Sequence, residues 1–191
     1  MHAVPVFFAT TEGQTRRIAE FLVDALRKRG LDSAAVDLAS EEAARVDWHV
    51  VRGAILGASL HIGKHQRYAL RFARANRDAL NARPSAFFSV SLSVASQHPK
   101  DVEAAHELAR DFARAAGWRP RRIFCIAGRL AYTRYGWLTR LVMRRIAAKE
   151  GGPTDTSRDW ELTRWDDVEQ LADEVARDIQ AQPAEREMAL A

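Results

Sequence analysis

The sequence predicts an α/β fold, a doubly wound five-stranded parallel sheet with helices on both faces. Two observations predict it. Short apolar runs alternate with segments whose apolar residues recur at helical spacing, and that alternation builds strand–helix–strand units with parallel strands. The apolar runs are also continuous, as strands buried on both faces require.

The elements follow in order. Val4–Thr10 reads as the first strand, with Pro5 near its start, where a missing N–H is tolerated. Ile18, Leu22, Ala25 and Leu26 mark the first helix, and Gly30 fits its stop. Ala34–Leu38 and Gly53–Ala58 read as the second and third strands, with Ala39–Trp48 ambiguous between them. Ala69, Phe72, Ala73, Asn76 and Leu80 mark one helix face, and Ser85–Val90 the fourth strand. Val102, Ala105, Leu108, Ala109 and Phe112 mark a further helix. Arg122–Ala127 is the fifth strand, and Val168, Leu171, Ala172, Val175 and Ile179 form a final amphipathic helix. Residues 181–191 lack periodicity and read as a frayed tail.

Composition narrows the class. A chain of 191 residues with 47% hydrophobic and 28% charged content fits one domain, here residues 1–191, and excludes a disordered chain. A lone cysteine, Cys125, excludes an intrachain disulfide framework and reads as a small core residue. No apolar run approaches the roughly 18 residues of a membrane span. The amino end enters an apolar run without a basic leader, so an intracellular, reducing compartment is expected. Net charge is +4, and 25 of the 29 cations are arginine. A pI near 9.6 favours anionic partners without choosing among them. Nucleic acid is disfavoured, because the aromatic platforms of single-strand readers are missing.

In open sheets of this kind, ligands bind beyond the carboxyl ends of the strands. The first such loop is Thr10-Thr11-Glu12-Gly13-Gln14-Thr15. Its hydroxyls and the free N–H groups of the starting helix can surround a phosphate, and Gly13 permits close backbone approach. An ordinary threonine-rich helix cap is the competing reading. No lysine follows in a Walker pattern. The second loop runs from Gly57 to His65 through Ala58, Ser59, Leu60, His61, Ile62 and Gly63. Gly57 and Gly63 leave room for a flat ring. Lys64, His61 and His65 are cations that could face an anionic ligand, or simply solvated loop charges. His61 and His65 lack a carboxylate to complete a metal site, so no metal is expected. The third loop is Ser91-Leu92-Ser93-Val94-Ala95. Neither of these two loops carries an aromatic residue besides histidine, so an aromatic ring sandwich is not expected.

The pattern Phe8-x-Thr10-x-x-Gly13-x-Thr15-x-x-x-Ala19-x-x-Leu22 resembles the flavodoxin phosphate-loop signature at every fixed position. The resemblance implies a flavodoxin-like fold with FMN, its phosphate among Thr10, Thr11, Gly13, Gln14 and Thr15, with Glu12 in the same loop. It further implies that Ala58–Gly63 and Ser91–Ser93 border the isoalloxazine.

Roughly forty residues separate the fifth strand from the final helix, against about 2–6 for an ordinary connection. This long basic insert, residues 129–160, carries Trp137, Leu138, Leu141, Val142 and Ile146 as an apolar stripe broadened by Met143, with Arg140, Arg144 and Arg145 interspersed. Such a helix can lie on an anionic membrane, bind an anionic macrocycle, or cover a sheet edge. With Tyr132, Arg134-Tyr135, Gly151-Gly152 and Thr154-Asp155-Thr156, the insert resembles the HemG-type, quinone-dependent protoporphyrinogen oxidases, and the resemblance covers residues 4–179. It implies oxidation of protoporphyrinogen IX with menaquinone or ubiquinone as acceptor. It places the protein in the cytoplasm, peripherally associated with the inner face of the cell membrane. Arg134, Trp137, Arg140, Arg144 and Arg145 become candidates for propionate or headgroup contact. No general base is assigned, and a homo-oligomer stays open. A flavodoxin-type electron carrier or a flavodoxin-like quinone reductase is the alternative.

Overall fold

The structure is a computed structural model that describes residues 2–149 and 151–182. The predicted sheet is present. Strands β1 (Val4–Ala9), β2 (Ser33–Asp37), β3 (Ala54–His61), β5 (Ser85–Ser91) and β6 (Arg122–Ala127) are parallel, in the order β2-β1-β3-β5-β6. The two-residue β4 (Lys64–His65) folds back on β3 antiparallel. The chain reverses its direction of travel across the sheet between β1 and β3.

Period-two alternation sends neighbouring side chains to opposite faces. Val4, Val6 and Phe8 pack under helices α1 (Gln14–Lys28) and α6 (Trp165–Gln180). Phe7 and Ala9 pack on the other face with α2 (Arg67–Ala75), α3 (Arg77–Asn81) and α4 (Pro99–Ala116). Phe87 and Phe112 stack within that second layer, centroids 4.6 Å apart. The face expected as one helix from Ala69 to Leu80 is broken at Asn76. There the side-chain amide donates to the Phe72 carbonyl and accepts from Trp48 Nε1, competing with the helix backbone. The ambiguous stretch after β2 holds a 3₁₀ turn at Glu41–Arg45.

Between β6 and α6 lie β7 (Arg129–Leu130), a 3₁₀ turn at Tyr132–Arg134, α5 (Trp137–Lys149) and β8 (Trp160–Glu161), which pairs with β7. A small core of Leu130, Ala131, Tyr132, Tyr135 and Ala147 holds this region together. Helix α5 leaves its apolar stripe outside, with Trp137 79% exposed and Leu138 58% exposed. No helix among the described residues is long and apolar enough to cross a membrane. Helix α6 ends at Gln180, and most of the expected tail, from residue 183, lies outside the described residues.

Candidate functional site

The carboxyl ends of β1, β3 and β5 converge beside the start of the β6–α6 connection, and a cavity of about 410 Å³ opens there. Thr10, Glu12, Gln14 and Thr15 line it from the first loop. Ser59, Leu60, His61, Ile62 and Gly63 come from the second, and Ser91, Leu92 and Ser93 from the third. The three loops therefore meet at one place, as expected at a switch point. Thr11, Gly13 and Ala58 are not in the wall. Ala58 is buried inside the sheet, and the Thr11 hydroxyl accepts from Gln66 Nε2 at 3.2 Å. Gly13 shapes the loop instead, with φ +90° and its N–H donating to Thr10 Oγ1 at 2.9 Å.

Helix α1 starts immediately afterwards, with no side-chain cap and no acidic residue in its first turn. Its first N–H groups and the positive end of its dipole are left for an anion. Thr15 is fully buried, yet its hydroxyl has no partner. Gln14 Oε1 and Ser91 Oγ are buried without partners as well. An unsatisfied buried polar group costs about 1–3 kcal/mol, and all three belong to residues of the cavity wall. A ligand carrying an anionic group and polar ring edges can satisfy them, so these residues fit a flavin mononucleotide. Gln14 is held in place by donating Nε2 to Glu161 Oε1 and Thr163 Oγ1, both at 2.9 Å.

The second loop corrects three expectations. β3 runs on to His61 and turns at Ile62 (φ 48°) and Gly63 (φ 71°) before β4 returns. Two successive positive φ angles make the tight hairpin turn that matches strand twist. Gly57 does not make room for a ring, because a Cβ there would lie 1.9 Å from Phe88 Cζ; its hydrogen admits the Phe88 side chain. His65 is not a cation at neutral pH. It sits edge-on to Phe87 and Phe112 and shares a hydrogen bond with Ser89 Oγ at 2.9 Å, and burial lowers its pKa to about 4. Lys64 is exposed and outside the wall.

Sequence reasoning missed several wall residues. Arg129 lines the cavity, and its guanidinium lies 3.9 Å from the Asp159 carboxylate. Tyr135, Met143 and Ile146 close it from the β6–α6 connection, for which the sequence left a membrane contact, a macrocycle contact and a sheet-edge cover open. Gln66 bridges the first two loops, donating to Thr11 and Ser59. Its position one residue before α2 carried no signal.

Among the outer candidates, Trp137, Arg144 and Arg145 are exposed and do not line this cavity. Arg144 and Arg145 border a second, shallower hollow with Leu141, Val142, Ala148 and Thr154. Arg134 is exposed near Asp159, whose carboxylate accepts from Thr133 N and Oγ1 and is held below its usual pKa chiefly by the backbone bond. Arg140 donates to the carbonyls of Tyr132 and Tyr135 at 3.0 and 3.2 Å, which ties the start of α5 to the 3₁₀ turn. Cys125 is half-buried and its thiol is pushed up to about 11 by burial, far from thiolate chemistry at neutral pH.

A five-stranded parallel sheet in this order, with a threonine–glycine loop at the switch point, defines the flavodoxin-like class of doubly wound proteins. Comparison with known proteins agrees with that class. A flavodoxin from Pseudomonas aeruginosa, solved as a cysteine-to-alanine mutant, superposes with a TM-score of 0.55 at 16% identity, covering 93% of this chain and 99% of that one. Flavodoxin 1 from Bacillus cereus superposes with a TM-score of 0.50 at 16% identity, over 94% and 99% of the two chains. The chain belongs to the flavodoxin domain family, whose model matches residues 5–157. Membership implies a flavin cofactor. Two relatives are more specific by name. One from Escherichia coli K12, 34% identical over 90% of this chain and 93% of its own, is named protoporphyrinogen IX dehydrogenase [quinone]. One from Leishmania major carries the same name, at 28% identity over 90% of this chain and 73% of its own.

Proposed function

We propose that this chain is an FMN-dependent oxidoreductase that oxidises protoporphyrinogen IX to protoporphyrin IX, with menaquinone or ubiquinone as electron acceptor. The 34% identity over 90% of the chain to a protein named for that reaction carries the reading. The cavity chemistry supports it. When bound, FMN supplies two-electron redox chemistry, and the protein supplies position and electrostatics. Six hydrogens leave the substrate in three rounds, and each round reduces one quinone to quinol.

The residues divide the work. Thr10, Thr15 and the first N–H groups of α1 hold the phosphate, with Gly13 setting the loop. The hairpin Leu60–Gly63 and the Ser91–Ser93 turn would hold the ring system, and the unpartnered Ser91 hydroxyl would be available to one of its polar groups. Met143 and Ile146 exclude water from above. Arg129 offers a cation for an anionic ring or a propionate, since an arginine fork matches a carboxylate. Trp137, Leu138, Arg144 and Arg145, exposed on α5, face an anionic membrane surface, and Arg134 extends the basic rim. Such a surface supports a location in the cytoplasm at the inner face of the membrane, where a quinone is within reach.

The test is anaerobic. Purified protein, FMN, protoporphyrinogen IX and menaquinone are mixed and porphyrin fluorescence is followed. The proposal expects fluorescence to rise faster than in an FMN-only control; equal rates would refute it.

A further inference from the structure

Glu12 presents a problem for a phosphate loop. Its side chain lines the same cavity as Thr10, Gln14 and Thr15, and a carboxylate beside a bound phosphate would repel it. The structure contains a device that answers this. Tyr135 Oη donates to Glu12 Oε2 at 2.9 Å. Tyr135 is itself held firmly. Its hydroxyl accepts from the Ala131 N–H at 3.3 Å, its carbonyl accepts from Arg140, and its ring meets Tyr132 edge-on at 6.1 Å. Burial first, and the neighbouring Glu12 charge next, raise the phenol's pKa, so it stays a donor throughout the neutral range.

We propose that Tyr135 is a positioning residue for the cofactor, holding the Glu12 carboxylate against the β6–α6 connection and away from the phosphate site. The inference rests on the reading that an FMN phosphate occupies the first loop. It makes the cover over the cavity and the phosphate loop parts of one device, since the donor lies beyond β6 and the acceptor lies between β1 and α1. The bond is charge-assisted and partly buried, with the donor side buried and Glu12 open to solvent, and charge-assisted bonds are the stronger kind.

The test is FMN affinity, read by quenching of flavin fluorescence, for the full chain and three variants. The unaltered chain is measured first; failure to bind FMN there refutes the phosphate-loop reading itself. If it binds, Tyr135→Phe, which deletes one oxygen, should weaken binding roughly tenfold, and more at low salt than at high, since freed charges repel through a longer screening length. Glu12→Gln should bind within about twofold of the unaltered chain or more tightly, because the repulsive charge is gone. In the Glu12→Gln background, Tyr135→Phe should then cost less than about twofold. An unchanged affinity in Tyr135→Phe would overturn the proposal. So would an equal loss in both backgrounds, which is what a purely packing role gives. If Tyr135→Phe does not fold, Glu12→Gln alone decides, and a tenfold loss there would overturn it.

Discussion

Acidification should release the hairpin that borders the cavity, and His65 sets where. The imidazole meets the stacked Phe87 and Phe112 rings edge-on, with centroids 5.5 and 5.0 Å away, and it shares its hydrogen bond with the Ser89 hydroxyl. Its pKa falls from 6.5 to about 4 on folding because burial penalises the charged ring. Between those values the unfolded chain binds a proton that the folded chain refuses, so stability falls as pH falls. The contribution is complete above pH 6.5 and lost by pH 4, and its ceiling is about 3 kcal/mol at ~1.4 kcal/mol per decade. His65→Gln keeps a hydrogen-bonding group and removes the titration. Urea unfolding of both proteins at pH 7.5 and 4.5 measures the effect. The stability difference between them should shift by about 2–3 kcal/mol towards the variant on going to pH 4.5. Parallel pH profiles would refute the argument, and a ring proton titrating near 6.5 by NMR would show why.

Three other predictions concern shape and charge. Gly57→Ala should destabilise the fold by about 1–3 kcal/mol in urea unfolding, because the new Cβ meets the Phe88 ring at 1.9 Å. At Gly13 an added Cβ meets no atom within 4 Å, so the backbone cost of Gly13→Val comes from φ +90°. Backbone strain of about 1–2 kcal/mol should weaken FMN binding about tenfold in a fluorescence titration; an unchanged dissociation constant would refute the loop assignment. Arg144→Glu with Arg145→Glu should reduce sedimentation with anionic liposomes, most at low salt, and unchanged partitioning would leave α5 as a structural cover.

The strands were legible in the sequence because buried parallel strands read as unbroken apolar runs, and each predicted run lies within a few residues of an observed strand. The first loop of the cavity wall was legible for a related reason: its residue types and spacing are local. What escaped was everything fixed by contacts distant in sequence. The β7–β8 pair joins two residues to two others some thirty positions apart, too short for any periodicity. The hairpin after β3 depends on Ile62 entering positive φ, which a β-branched residue does not advertise. Gly57 looked like space for a ligand, but the space belongs to Phe88 on the adjacent strand. His65 looked like a loop cation until the aromatic rings around it became visible. Tyr135 and Arg129 join the wall only because the β6–α6 connection folds back over the first loop through Gln14, Glu161 and Thr163.

The most direct measurement of the central claim is a titration of the purified, flavin-stripped protein with FMN. One FMN should bind per chain, with quenched flavin fluorescence and loss of binding when inorganic phosphate competes at high concentration or when FMN is replaced by riboflavin. Equal affinity for riboflavin and FMN would contradict it, because the threonine–glycine loop would then be holding nothing.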